Sequence, residues 1–204
     1  MRFFRFPLVS RWILRKAVYT TGRPGKTVCL SFDDGPDPST TPEILEILGR
    51  HNIQALFFIN GKNADKYPEL VEKIKNNGHI IGNHGYSHLN GLKTPFKKYI
   101  SDIHKAAEST SSSIIRPPYG KMTLRQYRYL VKNYKVVLWD LMPYDFDQSL
   151  DKEKVLNKIL TKSRNGSIIV LHDKSESCST SILEEVITGL YSLDFNFALP
   201  EIPV

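Results

Sequence analysis

The sequence predicts an α/β fold with a mainly parallel sheet of about seven strands. From residue 26 onward, short runs rich in β-branched and aromatic residues alternate with longer amphipathic segments, which is typical of repeated strand-helix units. The length of 204 residues, with 41% hydrophobic and 24% charged residues, suits one well-buried domain. The pattern alone fits both a distorted (β/α) barrel and an open doubly wound sheet.

The predicted strands cover residues 27–32, 55–60, 79–83, 113–116, 136–140, 167–172 and 196–199. The first predicted helix begins after Ser39-Thr40-Thr41-Pro42, because hydroxyl side chains cap helices and proline suits a first turn. Later helices are predicted at 67–76, 95–109, 124–133, 150–163 and 182–190. In either architecture, functional side chains are expected at the carboxyl ends of the strands.

A basic, aromatic N-terminal arm, residues 1–26, precedes the first strand. Lys and Arg outnumber Asp and Glu by 28 to 21, a net charge of +7. Seven cations precede the first acidic residue, Asp33, and account for this excess: Arg2, Arg5, Arg11, Arg15, Lys16, Arg23 and Lys26. The balanced remainder argues against a nucleic-acid partner. The arm is expected either to pack on the domain or to anchor at a membrane, with lipid facing Phe3, Phe4, Phe6, Trp12 and Ile13.

The two cysteines, Cys29 in an apolar run and Cys178 in a serine-rich loop, predict free thiols rather than a disulfide or a paired metal site. Arginines interrupt the apolar stretches of the arm, so neither a signal peptide nor a transmembrane span is recognised. A cytoplasmic chain is expected, with peripheral membrane contact through the arm as the alternative. The oligomeric state is not predicted.

Two adjacent carboxylates, Asp33 and Asp34, end the first strand and are followed by Gly35-Pro36. Neighbouring side chains on a strand point to opposite sides, so one carboxylate would bind a metal while the other handles a proton. A turn with two solvated acids is the alternative.

His84 and His88 follow the third strand at a spacing of four residues. In a helical turn this spacing brings two imidazoles to one cation, and Asp34 would supply a third ligand. Two histidines and one carboxylate leave coordination positions open, as in a catalytic metal site. His79 is assigned to the strand instead.

Arg116-Pro117-Pro118-Tyr119-Gly120 follows the fourth strand and predicts a stiff loop whose backbone N–H groups can face an oxyanion. Arg116 is expected to bind a carboxylate and tune its basicity; a rigid turn with an exposed arginine is the alternative. Leu171-His172-Asp173 ends the sixth strand, where His172 is suited to general acid catalysis.

The segment 139–147, after the fifth strand, offers aromatic walls for a sugar, together with acids for its hydroxyl groups or for Arg116. Aromatic residues here also suit a core. The separate placement of five such clusters at strand ends favours a functional site over the individual structural alternatives.

In order, these motifs resemble those of the polysaccharide deacetylase superfamily, also called the NodB-homology or carbohydrate esterase family four group. The resemblance covers the chain from about Thr27 to its end and rests on Ser31-Phe32-Asp33-Asp34-Gly35, His84-Gly85-Tyr86-Ser87-His88, Arg116-Pro117-Pro118-Tyr119, the segment 139–147 and Leu171-His172-Asp173. It implies a single domain over residues 27–204, a distorted (β/α) barrel of about seven strands, and zinc or another divalent ion such as Co²⁺ or Ni²⁺.

The resemblance also implies roles for individual residues. The implied metal ligands are Asp34, His84 and His88. The implied catalytic residues are Asp33 as general base, His172 as general acid, Arg116, and Tyr119 through its backbone N–H. The implied substrate-binding residues are Trp139, Asp145, Phe146 and Leu171.

Two departures from the family pattern affect these expectations. Gly85 stands where the family usually has Ser or Thr, which removes a side chain that steadies the metal loop. Met142 and Phe146 replace the usual Asp and Trp of the fourth motif. Arg116 is therefore expected to pair with Asp145 or Asp140, or to remain unpaired.

The leading expectation is a metal-dependent hydrolase that removes acetyl groups, in particular N-acetyl groups, from a glycan or glycan precursor. An O-acetyl esterase or a small-amide hydrolase on the same scaffold is one alternative. A catalytically silent glycan-binding module is another, although no expected ligand is missing. A membrane-associated protein acting on a lipid-linked glycan is a third.

Overall fold

The computed structural model describes residues 4–202, which form an α/β barrel with seven strands in one parallel sheet. The strands run in the order β5-β4-β3-β2-β1-β6, and β7 pairs with β1. Their bounds are β1 Thr27–Asp33, β2 Leu56–Ile59, β3 Ile80–Asn83, β4 Ile114–Ile115, β5 Lys135–Val136, β6 Ser167–His172 and β7 Asn196–Phe197.

The sheet closes into a barrel through the chain that follows β5. Leu141 pairs in parallel with Ile169 on β6, and the N–H of Val170 donates to Leu141 O at 2.9 Å. Val18 of the N-terminal arm also pairs in parallel with Val137, directly after β5, and fills the gap beside that strand. The distorted barrel is therefore confirmed, and the open doubly wound sheet is wrong for this chain.

Strand β1 lies at the centre of the fold, and all seven of its residues are buried. One of its edges pairs with β6 from Val28 to Asp33. The other edge is shared, because β7 pairs at Thr27 and Val28 while β2 pairs from Ser31 onward. Because β1 is enclosed on all sides, its sequence is a nearly continuous apolar run. The strand ends at the carboxyl edge of the barrel, where Asp33 and Asp34 lie.

Eight α-helices lie within residues 4–202: α1 Leu8–Ile13, α2 Thr41–Arg50, α3 Gly61–Lys66, α4 Pro68–Asn76, α5 Phe96–Thr110, α6 Leu124–Asn133, α7 Lys152–Lys162 and α8 Ser179–Ser192. The sequence predicted six of them, with ends displaced by a few residues. It missed α1 and α3, which have six residues each, because so short a helix shows little hydrophobic periodicity.

The N-terminal arm contacts the barrel next to its closure. Phe4 meets the ring of Tyr144 edge-on with ring centroids 5.4 Å apart, and Phe6 meets Trp139 at 5.2 Å. These two phenylalanines face the domain, so assigning them to a lipid-facing surface was wrong. Phe3 lies outside the described residues. The division of the chain at residue 26 stays a prediction.

Among residues 4–202, no helix is long and apolar enough to span a bilayer. Cys29 and Cys178 are both free thiols, as predicted.

Candidate active site

A pocket of about 300 Å³ opens at the carboxyl edge of the barrel. Strands β1, β3 and β6 deliver polar side chains to it, and loops after β4 and β5 supply aromatic ones. The described residues that line it are Asp33, Asp34, His84, His88, Tyr119, Gly120, Lys121, Trp139, Met142, Tyr144, Phe146, His172 and Lys174. The clusters that the sequence placed at separate strand ends therefore meet at one site.

Asp34, His84 and His88 form a group that could hold a metal ion, with one ligand atom of each within 4.8 Å of the others. Oδ1 of Asp34 lies 3.2 Å from Nε2 of His88 and 3.7 Å from Nε2 of His84. This oxygen is buried and accepts no hydrogen bond from the described residues. A buried, unpaired carboxylate oxygen facing two imidazoles fits a divalent cation with mixed nitrogen and oxygen ligands.

The electrostatic environment favours the ligand forms of Asp34 and His88. Burial opposes ionisation of Asp34, but the nearby charges of His84 and His172 outweigh burial and lower its pKa to about 2. Burial and the neighbouring His84 lower the pKa of His88 to about 4. At neutral pH the carboxylate is thus charged and His88 neutral, as metal coordination requires.

Backbone conformation aims Asp34 into the pocket. Its φ is +78°, in the left-handed region, where the chain turns sharply at the end of β1. The side-chain amides of Asn60 and Asn63 donate to its carbonyl oxygen at 3.0 and 2.9 Å. Two hydrogen bonds therefore compensate for an unfavourable backbone conformation next to the candidate metal site.

The two histidines converge by a different route from the predicted helical turn. The segment between them is irregular, with left-handed conformations at Gly85 (φ +75°) and His88 (φ +52°). The backbone N–H of Gly85 donates to the Asn83 side chain at 2.8 Å, and the N–H of Tyr86 donates to Asp102 at 2.9 Å. These contacts steady the loop at the point where the family's Ser or Thr is absent.

His84 is oriented by Arg116 through the backbone of that residue. Nδ1 of His84 lies 2.7 Å from the Arg116 carbonyl oxygen. A proton on Nδ1 satisfies this contact and leaves Nε2 free to face Asp34, as second partners of metal-binding histidines commonly do.

The Arg116 side chain is completely buried and binds Asp33. Its Nη1 donates to Asp33 Oδ1 at 2.6 Å and to the Ser31 hydroxyl at 2.9 Å, while Nη2 donates to Leu138 O at 3.1 Å. The guanidinium also lies 4.0 Å from the ring centroid of Phe58. The expected pairing with Asp145 or Asp140 is wrong, because the barrel brings Arg116 directly to the β1 carboxylate.

Asp145 instead supports His172. One carboxylate oxygen lies 2.9 Å from Nδ1 of His172, and the other accepts the His172 backbone N–H at 2.7 Å and the Ser177 hydroxyl at 2.6 Å. Burial lowers the pKa of His172, but the Asp145 carboxylate outweighs burial and raises it above the ordinary histidine value. The rings of His172 and Phe146 meet edge to face, with their centroids 4.5 Å apart.

Asp140, the other expected partner of Arg116, binds three arginines. Its buried carboxylate contacts Arg5, accepts from Arg11 Nη2 at 2.7 Å and accepts from Arg164 Nη2 at 2.5 Å. Asp140 therefore fastens the N-terminal arm to the barrel.

The predicted substrate residues divide into two groups. Trp139 and Phe146 line the pocket. Leu171 is fully buried in the core and Asp145 lies beneath His172, so neither is among the described residues that line it. A β-strand alternates its faces, and Leu171 and His172 consequently point in different directions.

Comparison with known proteins places these residues in a family. A model described as polysaccharide deacetylase matches residues 20–139 of the chain. The chain belongs to the polysaccharide deacetylase family. Asp34, His84 and His88, the group that could hold a metal ion, all lie within the matched region.

Relatives within the polysaccharide deacetylase family include two curated bacterial proteins. A peptidoglycan-N-acetylglucosamine deacetylase of Bacillus cereus is 37% identical over 169 residues, which cover 79% of this chain and 61% of that protein. A peptidoglycan-N-acetylmuramic acid deacetylase of Bacillus subtilis is 32% identical over 171 residues, covering 81% of this chain and 36% of that protein. The chain therefore spans less than two thirds of the length of either relative.

The family fold extends over almost the whole chain. A crystal structure of a peptidoglycan N-acetylglucosamine deacetylase, in complex with 4-naphthalen-1-yl-N-oxidanyl-benzamide, matches with a TM-score of 0.86 and 32% identity. The match covers 95% of this chain and 94% of that one.

In this family member, Asp173 forms a buried polar group with Thr40 and Thr41; its motif was recognised, but this role was missed. The Asp173 carboxylate accepts hydrogen bonds from the hydroxyls of Thr40 and Thr41, each at 2.6 Å, and burial raises its pKa to about 7. A Cβ atom at Gly35 would collide with this carboxylate. The Ser39-Thr40-Thr41 stretch looked like a helix cap, but two of its hydroxyls serve Asp173.

Lys174 is a second missed residue. Its Nζ lies 3.1 Å from Asp34 Oδ2 and 5.2 Å from the ring centroid of Phe146, and the residue lines the pocket. Lys174 holds the carboxylate oxygen that faces away from the histidines and leaves Oδ1 directed at them. Its position next to Asp173 in the fifth motif was the available sequence signal.

Proposed function

We propose that this chain is a divalent-metal-dependent N-deacetylase that hydrolyses the N-acetyl group of a peptidoglycan amino sugar. The observation that carries the proposal is a single pocket that contains three kinds of group. They are the three residues that could hold a metal ion, the Asp33 carboxylate that Arg116 binds, and the His172 imidazole that Asp145 binds. The names of the two curated relatives support the substrate class.

Asp34, His84 and His88 would hold the ion, with zinc as the proposed metal and Co²⁺ or Ni²⁺ as substitutes. When bound, such an ion polarises the acetyl carbonyl group and lowers the pKa of a water molecule. The nitrogen and oxygen donors suit these borderline cations better than Mg²⁺ or Ca²⁺, which prefer oxygen alone.

Asp33 would accept the proton of the water that attacks the carbonyl carbon. Its Oδ1 is occupied by Arg116, while Oδ2 lies 3.8 Å from Nε2 of His84, on the side of the metal group. One oxygen is thus fixed by a buried cation, and the other lies beside the residues that would hold the ion. This arrangement separates orientation from proton transfer within one carboxylate.

His172 would donate the proton that the departing amine requires. Because Asp145 holds Nδ1, Nε2 is the nitrogen left to face the pocket, and the Asp145 charge favours the protonated ring. Asp33 would thus accept a proton and His172 would donate one, as an acid-base pair requires.

The oxyanion formed during hydrolysis would receive the backbone N–H of Tyr119. This residue has φ +61° and ψ 3° and follows two prolines, which fix the loop at the pocket rim. A preorganised backbone donor at this position would stabilise the developing negative charge. Trp139, Met142 and Phe146 would form the apolar wall beside the acetyl-bearing sugar.

The decisive experiment measures acetate release from a panel of N-acetylated and O-acetylated glycans, using apo protein reloaded with Zn²⁺, Co²⁺ or Ni²⁺. The panel contains peptidoglycan with acetyl groups on glucosamine only and on muramic acid only, together with an O-acetyl xylan and a small N-acetyl amide. Release from an N-acetyl sugar that requires metal supports the proposal. Release from the O-acetyl or small-amide substrates alone would reassign the chain to an esterase or amidase, and glycan binding without any release would mark a silent module.

A further inference from the structure

Helix α1 exposes three large apolar side chains to solvent. Val9, Trp12 and Ile13 have 71%, 80% and 46% of their surfaces exposed. Their spacing of three and four residues places them on one side of the helix. The helix is fastened to the domain by other residues, since Arg11 within α1 binds Asp140 and Leu14 at its C-terminal end packs against the core. The apolar side of α1 is thus held outward.

The surroundings of this helix are basic. Arg15 and Lys16 follow α1 directly and are exposed, and helix α6 exposes Arg125, Arg128 and Lys132. The sequence contains no Asp or Glu before residue 33 and none between residues 109 and 139. The two segments that supply these cations therefore contribute no acidic side chain to oppose them.

The two segments lie against each other. The backbone N–H of Lys16 donates to the hydroxyl of Tyr127 on α6 at 2.9 Å. The N–H of Val18 donates to Val136 O at 2.9 Å, and the N–H of Leu138 donates to Val18 O at 2.8 Å. We give the name basic-apolar face to exposed side chains of these two neighbouring segments: Val9, Trp12, Ile13, Arg15, Lys16, Leu124, Arg128 and Lys132.

We propose that the basic-apolar face binds the surface of an anionic lipid bilayer. Tryptophan and aliphatic side chains enter the boundary between headgroups and acyl chains, while Lys and Arg attract anionic headgroups. A soluble polyanion would use the cations but leave Trp12 in water. A second copy of this chain would bring its own cations against the same cations, so neither alternative occupant matches both halves of the surface.

This docking would hold the pocket close to the bilayer. Lys121 lines the pocket and precedes Leu124 of the basic-apolar face by three residues. On the arm, Phe6 packs against the pocket residue Trp139 just before α1 begins. Membrane binding is independent of the proposed deacetylation, and a catalytically inactive chain would bind equally well.

The test is flotation of the full chain with vesicles of phosphatidylcholine, with and without phosphatidylglycerol. The wild-type chain floats with the anionic vesicles, and added salt weakens this binding. Val9→Ser with Trp12→Ser lowers the partition coefficient about tenfold through lost apolar insertion. Arg128→Gln with Lys132→Gln lowers it about tenfold on anionic vesicles and reduces the salt dependence.

Matched control variants lie on other faces. Leu193→Ser removes an apolar side chain that is 40% exposed just after the end of α8, and Lys152→Gln with Lys154→Gln removes two exposed cations on α7. Both controls float like the wild type, and thermal unfolding shows that all variants fold. The proposal is overturned if the wild type fails to float, if the double serine variant floats normally, or if soluble polyglutamate competes fully while Trp12 has no effect.

Discussion

The guanidinium of Arg116 donates a 2.6 Å hydrogen bond to the carboxylate of Asp33, although β3 and β2 separate their strands in the sheet. Both side chains are buried, and Arg116 also donates to a serine hydroxyl and to backbone carbonyls. The pair therefore links opposite parts of the barrel and sets the orientation of the proposed base.

Arg116→Met should destabilise the fold as well as abolish activity. The substitution leaves Asp33 buried without its cation, and breaking a buried ion pair costs about 3–5 kcal/mol. Urea unfolding measures this loss. As a control, Arg50→Met removes exposed pairs with Glu46 and Glu184 and should change stability by less than about 1 kcal/mol. Equal effects of the two variants would contradict the importance of the buried pair.

Asp145→Asn should move the alkaline limb of the activity profile to lower pH. In the wild type, the Asp145 carboxylate raises the pKa of His172, so the protonated general acid persists to higher pH. Removing the charge lowers that pKa, and activity declines sooner as pH rises. The measurement is kcat/KM against pH, with Ser177→Ala as a control that keeps the carboxylate. An alkaline limb that does not move would exclude His172 as the titrating acid.

Gly35→Ala should impair folding and activity because its methyl group collides with the Asp173 carboxylate, which Thr40 and Thr41 hold in place. Overpacking of this kind costs about 1–3 kcal/mol. Gly49→Ala is the matched control, since Gly49 is an exposed residue of α2 with open space around its Cβ position. That variant should gain about 0.5–1 kcal/mol from helix propensity. The unfolding midpoints of the two variants test this: that of Gly35→Ala should fall below the wild-type value, and that of Gly49→Ala should rise above it.

Asp140 should contribute stability that disappears in acid. Burial raises its pKa, but hydrogen bonds from Arg164 and Arg11 outweigh burial and lower the folded-state pKa from 3.8 to about 2. The stability that Asp140 contributes is fully present above the pKa of the unfolded state, and it is lost as the pH falls through the pKa of the folded state. Asp140→Asn should therefore cost about 2 kcal/mol at neutral pH, and the difference from the wild type should shrink from pH 4 down to about 2. A difference in stability that is independent of pH would contradict a contribution from the charged Asp140 carboxylate and its arginine partners.

The hydrophobic pattern predicted the strands but left the shape of the sheet open, and the distorted barrel was predicted from the family resemblance. Runs such as 27–32 and 167–172 are apolar and end at polar turn residues, so their local signal is strong. Closure depends on Leu141 reaching Ile169 and on Val18 filling the gap beside Val137. These contacts join segments far apart in the sequence and leave no periodic pattern.

The site was predictable in its residues but less so in its partnerships. The motifs placed Asp33, Arg116 and His172 at separate strand ends; Asp33 and His172 line one pocket, and Arg116 lies buried behind Asp33. The assignment of Asp145 to His172 rather than to Arg116 depends on which side chains the barrel places next to each other. Local spacing also suggested a helical turn for His84 and His88, whereas the left-handed backbone at Gly85 brings them together.

The most direct test of the central claim compares metal content and acetate release in the wild-type chain and in Asp33→Asn. The account predicts that both bind one equivalent of Zn²⁺, because Asp33 is outside the ligand group, and that only the wild type releases acetate from N-acetylated peptidoglycan. Chelation should remove the ion and the activity of the wild type together, and adding Zn²⁺ should restore both. Acetate release by Asp33→Asn at the wild-type rate, or release by the wild type that chelation leaves unchanged, would contradict the claim.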